Sequence, residues 1–343
     1  MPTSLSKPKI IVIVGATASG KTALSLKLAK KFSGEIVSAD SRQIYREMDI
    51  GTAKPKLSLM RTNLNSRIFA NKISVNSRVA HHLIDIKNPD EPYTVAEYKH
   101  DAIRAIRNIL KRKKLPILVG GTGLYVSAVA DNLEIPNVKP NPTLRKKLEK
   151  KIKTRGLESL FEELVKLDPE AAYIVDPKNP RRVIRALEVA LTTGKPFSSQ
   201  RKKGKPLFRM LKIGIAIPKE KLRKRINQRM DKMIKSGLVN EVIGLMRNYG
   251  ADCPAFDAIG YREIIDYLRS ASTNSESDTN LRIRKFEINS LFADVAFRQA
   301  IEAIKRNTWR YAKRQMTWFK KDKGIRWIKS EKQALRLVKE LLD

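Results

Sequence analysis

The sequence predicts an α/β fold in which a parallel sheet flanked by helices is interrupted by an all-helical insertion. Three observations carry this. Short β-branched runs alternate with stretches of helical spacing, as in "IIVIVGATASGKTALSLKLAKKF" from Ile10. These runs are continuously apolar, as strands covered on both faces require. From about Asn137 the texture changes to short basic helices punctuated by "PNVKPNP", "DPKNP" and "TGKP", and strand character returns only with "FRMLKIGIAIP". The expected division is therefore a core of residues 1–136 and 206–343 with an insertion at 137–205.

"KIIVIVGA" reads as the first strand, followed by a helix whose apolar stripe is Leu24, Leu28 and Phe32. "GEIVSAD" is the second strand. The polar, interrupted stretch "SRQIYREMDIGTAKPKLSLM" should form loop and short helix. Thr94 stands three residues before Glu97, a capping-box spacing, and Tyr98, Ala102, Ala105, Ile106 and Ile109 continue it as a helical stripe. "LPILVGG" is a buried strand. Two helices follow the insertion and its return strand, the first ending at Gly237. A polar loop is expected at 270–280, a long helix from about Arg284 to Lys321, and a closing strand at "IRWIK".

Seventy Lys and Arg against 35 Asp and Glu leave a formal charge of +35, far from anything folding requires, though a solubility surface alone would also carry it. Such an excess attracts a polyanion, most commonly nucleic acid. One cysteine, Cys253, excludes an internal disulfide framework and suits a reducing cytoplasm. No apolar run approaches the ~20 residues of a membrane span.

Gly15, Ala16, Thr17, Ala18, Ser19, Gly20, Lys21 and Thr22 match G-x-x-x-x-G-K-[ST] between a strand and a helix. Glycines let backbone N–H groups turn inward, the helix N-terminus adds positive potential, Lys21 neutralises outer phosphate oxygens, and the Thr22 hydroxyl can hold Mg²⁺. The pattern points to a bound nucleotide or other polyphosphate, ATP included, without saying which. An ATP-hydrolysing site should next end an apolar strand in Asp. "LPILVGG" instead ends in glycines followed by Thr122, and the acid at a strand end is Asp40. Group transfer is the better expectation. From the residues alone, Asp40 reads equally as general base, metal holder or helix N-cap.

"GATASGKT", "SADSRQIYREMDIGTAKP", "HHLIDIKNPDEPYTVAEY", "LPILVGGTGLY", "RRVIRALEVALTTGKP", "AIGYREIIDYL" and "YAKRQMTWF" stand in one order from about residue 10 to 322. In that order they resemble the tRNA dimethylallyltransferases, the tRNA isopentenyltransferase family. The resemblance implies a P-loop, nucleotide-kinase-like core with a helical insertion. It also implies Mg²⁺-dependent transfer of a dimethylallyl group from dimethylallyl diphosphate to the exocyclic N6 amine of the adenosine 3′ of the anticodon. Gly15–Thr22 would bind the diphosphate, with Lys21 catalytic and Thr22 on the metal. Asp40 would be the general base, Ser41, Arg42 and Gln43 would meet the adenosine, and Thr122 would sit at the reaction channel. Arg145 and the stretches Arg181–Arg185, Asp257–Arg262 and Lys313–Lys320 would meet the tRNA anticodon arm. Within them the expected contacts are Arg181, Arg182, Val183, Ile184, Arg185, Gly260, Tyr261, Arg262, Lys313, Arg314 and Gln315. A cytoplasmic monomer is expected.

The chemistry agrees with this. An adenine amine is a poor nucleophile, so a carboxylate that removes its proton helps. Diphosphate leaves readily only when its growing charge is met. Arg225 and Arg229, at i and i+4, either add to that or form a solvated basic face. "NTWRYAKRQMTWFKK" interleaves aromatics with cations, as base stacking against a phosphate backbone would use, although Trp318 and Phe319 read better as core. The allyl fragment must be shielded from water, so carboxylate and cradle should open onto one enclosed tunnel. Ala16 stands where the family usually has proline. Arg181 replaces a usual glutamine, and Trp309 and Arg310 fall outside the common pattern. Nothing after Trp327 resembles the zinc-finger extension of eukaryotic members. His81 and His82, adjacent on an extended segment, point opposite ways and read as structural or substrate-lining rather than zinc ligands.

Overall fold

The apolar runs named above become the middle of one sheet. In the computed structural model, which describes residues 7–59, 72–74, 79–136, 138–200, 202–272 and 294–343, the chain divides into two compact units. One is Met1–Val126 with Leu207–Asp343; the other is Ser127–Pro206, beginning earlier than the expected 137.

The first unit carries the strands β1 (Lys9–Val14), β2 (Gly34–Ser38), β3 (Leu57–Leu59), β4 (Lys72–Ser74), β5 (Ala80–His82), β6 (Leu115–Gly120), β7 (Arg209–Ile215) and β8 (Ile325–Ile328). Their order is β3-β4-β5-β2-β6-β1-β7-β8. From β5 to β8 every pairing is parallel, while β3 and β4 add an antiparallel edge. β1 lies between β6 and β7, with Ile11 opposite both Ile117 and Leu211, and Ile10 to Val14 are wholly buried. Burial on both faces explains the unbroken β-branched run.

Helices of this unit are α1 (Lys21–Lys31) and α2 (Val95–Lys111). Thr94 and Glu97 close the expected capping box, and the five stripe residues of α2 are 0% exposed. Ile106 and Ile109 each contribute about 2 kcal/mol by that burial. The next helix, α3 (Gly123–Ala130), contains the boundary at Ser127, and α4 to α6 belong to the second unit. After them the core resumes with α7 (Lys219–Lys235), α8 (Leu238–Tyr249), α9 (Tyr261–Ser272), α10 (Val295–Lys320) and α11 (Glu331–Leu342). Among the described residues no helix is long and apolar enough to cross a membrane. From residue 273 onward the expected polar loop lies outside the described residues, as does the expected start of the long helix at Arg284.

Residues 41–59 differ from expectation, holding turns and β3 but no helix. Their backbone is engaged across the chain instead. Asp85 N–H donates to Gln43 O (3.1 Å), Ile86 N–H to Ile44 O (2.8 Å) and Arg46 N–H to Lys87 O (2.8 Å). Amides and carbonyls committed this way are unavailable to a helix ladder.

In the second unit, α4 (Pro142–Leu167), α5 (Ala171–Ile174) and α6 (Pro180–Thr193) enclose their own apolar cluster. Both long helices begin alike. Asn141 and Asn179 cap through Oδ1, accepting from Leu144 N–H (3.0 Å) and Arg182 N–H (3.2 Å), with proline next in line. So "PNP" and "KNP" punctuate by starting helices. Glu188, fully buried on α6, accepts from the Arg145 guanidinium (2.8 Å), Arg185 Nη1 (2.5 Å) and the Asn141 amide (2.7 Å). Burial raises its pKa, but hydrogen bonds from Arg145, Asn141 and Arg185 outweigh this and hold the carboxyl at about 2 rather than the ordinary 4.5. A depressed carboxyl stabilises above its unfolded value and loses that stability as pH falls toward the folded one. Glu188→Gln is therefore expected to cost about 3 kcal/mol at neutral pH. In urea melts it should also remove the part of the acid-induced loss lying between about pH 4.5 and about pH 2.

Candidate active site

Parallel register brings three chain turns to one edge. β6 pairs with both β1 and β2, so the carboxyl ends of β1, β2 and β6 deliver Gly15–Thr22, Asp40 and Gly121–Thr122 side by side. Close approach is required there: a Cβ on Gly120 would lie 2.0 Å from Ala39 O. Thr122 grips the chain on both sides of Asp40. Its N–H donates to Ala39 O (3.2 Å), and its Oγ1 accepts from Ser41 N–H (3.0 Å). Tyr98, stacked on Tyr125 at 3.8 Å, donates its hydroxyl to Ser38 O (3.1 Å) and secures the same strand end.

The cradle turns through Gly15 (φ 149°), Ala18 (φ 59°) and Gly20 (φ 99°), the last capping α1. Lys21 Nζ donates to Gly15 O (2.9 Å) and Ala16 O (2.7 Å). Burial lowers its pKa to about 8, opposed by Asp40 and reinforced by Arg229, so it remains mainly protonated at neutral pH. Ala16 packs with Leu222, Ile226 and Ala312. Ser19 is buried, with an Oγ that has no hydrogen-bond partner. Arg225 and Arg229 turn toward the loop, their Nη1 atoms 3.5 Å from Ser19 O and 3.4 Å from Thr17 Oγ1. They form no merely solvated face.

Asp40 borders three cavities. One of about 590 Å³ is lined by Thr17 to Thr22, Arg225 and Arg229. A second, of about 300 Å³, is lined by Ser41, Arg42, Ile226, Met230, Asp257 and Arg314 among others. These two share Thr17, Ala18, Asp40, Thr52, Arg229 and Tyr311. The third, about 50 Å³, lies between Thr22, Ser38, Gln43 and His81. Asp40 Oδ1 accepts from Arg42 N–H (2.9 Å). The helix-cap alternative thus becomes an Asx turn, since no helix starts here. Thr22 and Asp40 line both the largest and the smallest cavity. A hydroxyl and a carboxylate are hard oxygen donors and fit Mg²⁺, which takes few protein ligands beside substrate phosphate and water.

Several expected contacts occupy other places. Thr122 is not among the residues lining these cavities; its hydroxyl bonds Ser41 and the Tyr311 hydroxyl, which does line two of them. Gln315 is buried, accepting from Thr17 N–H (2.8 Å) and donating to Gly121 O (2.9 Å), so it ties the cradle to the end of β6 and lines the 590 Å³ cavity from inside. Tyr261 is 0% exposed, its hydroxyl on Glu241 (2.6 Å). Gly260 is buried at φ 98° and donates its N–H to Glu263. Val183 and Ile184 belong to the insertion core, facing away from water because α6 is amphipathic. Arg145 and Arg185 are engaged by Glu188. Exposed among the expected contacts are Arg181, Arg182, Arg262, Lys313 and Arg314, with Arg262 paired to Asp257. Phe319 is buried as expected, but Trp318 stays 36% exposed, its ring edge closing on Gly123.

The histidines divide. His82 Nε2 meets Glu35 (2.7 Å), and Arg112 and Lys114 reach in from the surface to the same buried carboxylate. His81 borders the smallest cavity with both ring nitrogens unpartnered, and burial lowers its pKa to about 4, leaving it neutral. The sequence offered Tyr311 only as one of the aromatics interleaved with cations for base stacking, not as a neighbour of Asp40. It lies between Asp40, Thr122 and Gln315, and burial with the Asp40 charge pushes its hydroxyl up to about 12. The signal available was its register on α10, one turn before Gln315. Ile226, Met230 and Met233 on α7 also line the second cavity.

Residues 43–322 match the family described as IPP transferase. The chain is 41% identical over 337 residues to the tRNA dimethylallyltransferase of Carboxydothermus hydrogenoformans, covering 97% of this chain and 95% of that protein. The tRNA dimethylallyltransferase of Geobacter sulfurreducens is 39% identical over 327 residues, with 94% and 92% covered. Among solved structures, the full-length tRNA isopentenylpyrophosphate transferase of Bacillus halodurans superposes with a TM-score of 0.60 at 38% identity, covering 94% of this chain and 90% of that one. A eukaryotic dimethylallyltransferase acting on tRNA gives 0.65 at 26% identity, with 91% and 69% covered.

Proposed function

The chain belongs to the IPP transferase family, whose curated relatives are tRNA dimethylallyltransferases, and we propose that it transfers a dimethylallyl group from dimethylallyl diphosphate to the N6 amine of the adenosine 3′ of the anticodon, releasing diphosphate. The observation that carries this reading is the position of Asp40, on the wall common to the cavity of the phosphate cradle and the cavity beside it. One carboxylate can thereby meet a nucleophile on one side while the leaving group departs on the other.

The diphosphate lies in Gly15–Thr22, its charge met by backbone N–H groups, Lys21, Arg225 and Arg229. Thr22 would hold Mg²⁺, which when bound would supply further neutralisation of the leaving group. The adenosine leaves its stack and enters the second cavity, between Ser41, Arg42 and the apolar face of α7. As N6 bonds to the allylic carbon, the carbon–oxygen bond to diphosphate breaks and Asp40 takes the N6 proton. Lys21 and the two arginines sit where negative charge grows, which is where electrostatic stabilisation lowers the barrier. Exposed Lys313 and Arg314, lying over the Trp309 and Tyr311 rings at 5.9 and 5.8 Å, suit a backbone-and-base grip on the anticodon arm. Arg181 and Arg182 give the insertion a second basic face. The protein works as a monomer in the cytoplasm, where its tRNA is.

Incubation with labelled dimethylallyl diphosphate and Mg²⁺ tests the proposal. Label is expected on unmodified tRNA at that adenosine and absent from AMP. Label on AMP alone overturns it in favour of a small-molecule prenyltransferase.

A further inference from the structure

Glu241 of α8 is used by none of the steps above, yet it carries four hydrogen bonds. Oε2 accepts from Asp49 N–H (3.0 Å) and Ile50 N–H (2.6 Å); Oε1 accepts from Gly51 N–H (3.1 Å) and the Tyr261 hydroxyl (2.6 Å). Three successive backbone amides turned onto one anion make a nest, here filled by a side chain rather than a ligand. Charge-assisted bonds of this kind are the strong ones.

What those donors belong to is the telling part. Gly51 and Thr52 form one wall of the 300 Å³ cavity, and Asp257, Ala258 and Ile259 form another. Tyr261 opens α9 directly after the second wall, and its N–H donates to Ala258 O (3.1 Å). The first wall also meets Tyr261 itself. A Cβ on Gly51 would lie 2.5 Å from the Tyr261 ring, so only glycine lets loop and ring meet. From Thr52 the chain of contacts continues, its carbonyl accepting from Gln43 Nε2 (3.3 Å) on the segment that starts at Asp40.

We propose that Glu241 is the positioning residue of the nucleoside cavity, holding its Gly51–Thr52 wall against its Asp257–Ile259 wall and thereby setting how the target adenosine is seated. It touches neither substrate. The inference rests on the tRNA-prenylation reading above. Neither Arg225, Arg229 nor Gly15–Thr22 bonds to Glu241, and of the walls it holds only Thr52 also borders the cradle cavity, so the diphosphate site should feel its loss far less than the nucleoside cavity.

Glu241→Gln keeps the size but turns one acceptor into an NH₂ facing backbone N–H groups. Steady-state transfer should show kcat/KM for tRNA lowered by about a hundredfold, mostly through KM, the scale of a small misplacement. The Kd for inorganic diphosphate by calorimetry should stay within about twofold of wild type. Tyr261→Phe, which keeps the ring against Gly51 and removes one bond, should move tRNA KM in the same direction by less, and it carries the same pair of readings should Glu241→Gln not fold. An unchanged tRNA KM overturns the proposal. So does an equal loss of diphosphate affinity, which would make Glu241 a general prop of the core. A wild-type protein that transfers nothing to tRNA refutes the function itself; an active wild type with an indifferent Glu241→Gln refutes only the positioning role.

Discussion

Replacing Asp40 by asparagine is expected to lower kcat for dimethylallyl transfer by about three orders of magnitude, with tRNA affinity within about twofold of wild type. Asparagine keeps the size and the oxygen that accepts from Arg42 N–H, so the Asx turn survives. It removes only the ability to take a proton while N6 bonds to carbon. Asp40→Ala removes the turn as well and should be at least as inactive. Single-turnover transfer beside filter binding of tRNA separates the possibilities. Full activity in Asp40→Asn would discard the base assignment. A parallel loss of tRNA affinity would recast Asp40 as a residue that shapes the 41–43 loop.

Gly120→Ala should cost about 3 kcal/mol of stability and lower kcat on the order of a hundredfold in the folded fraction. The added Cβ would sit 2.0 Å from Ala39 O and 2.4 Å from its carbonyl carbon, and backbone cannot swing aside as a long side chain can. Ala39 must retreat, carrying Asp40 and straining the Thr122–Ala39 hydrogen bond. Gly244→Ala, within α8 and with nothing within 4 Å of its Cβ position, is the control and should be neutral or stabilising by up to about 1 kcal/mol. Denaturant melts and transfer rates on both variants check the contrast. An active, stable Gly120→Ala would mean that β2 and β6 need not approach so closely.

The two glycines of "LPILVGG" were legible in sequence as the end of a strand but not as a site requirement. Gly120 is small because β6 runs beside Ala39, and that neighbour is distant in the chain. The capping box at Thr94 was fully legible, since its two partners lie three residues apart. Arg225 and Arg229 were half legible: i, i+4 spacing shows one face of α7, but only the packed helix shows which way it turns. The burial of Val183 and Ile184 was not legible, because a motif's exposed and buried positions look alike until the helix has a partner. The burial of Tyr261 and Gln315 was illegible for the same reason. Each is polar enough to suggest a ligand, and each is buried with its polar atoms paired inside the protein.

By itself the sequence determined whatever depends on neighbours along the chain. That covers the cradle and its lysine, the buried parallel strands, the capped helices, the basic insertion and the family to which these belong. Tertiary structure alone decided that Asp40 stands between two cavities, that Gln315 reaches the Thr17 amide from 298 residues away, and that Glu241 closes on Asp49 to Gly51. Local conformation follows from short-range sterics and hydrogen bonding. The convergence of distant side chains follows from the register of parallel strands and the packing of helices against them, which no short window of sequence contains.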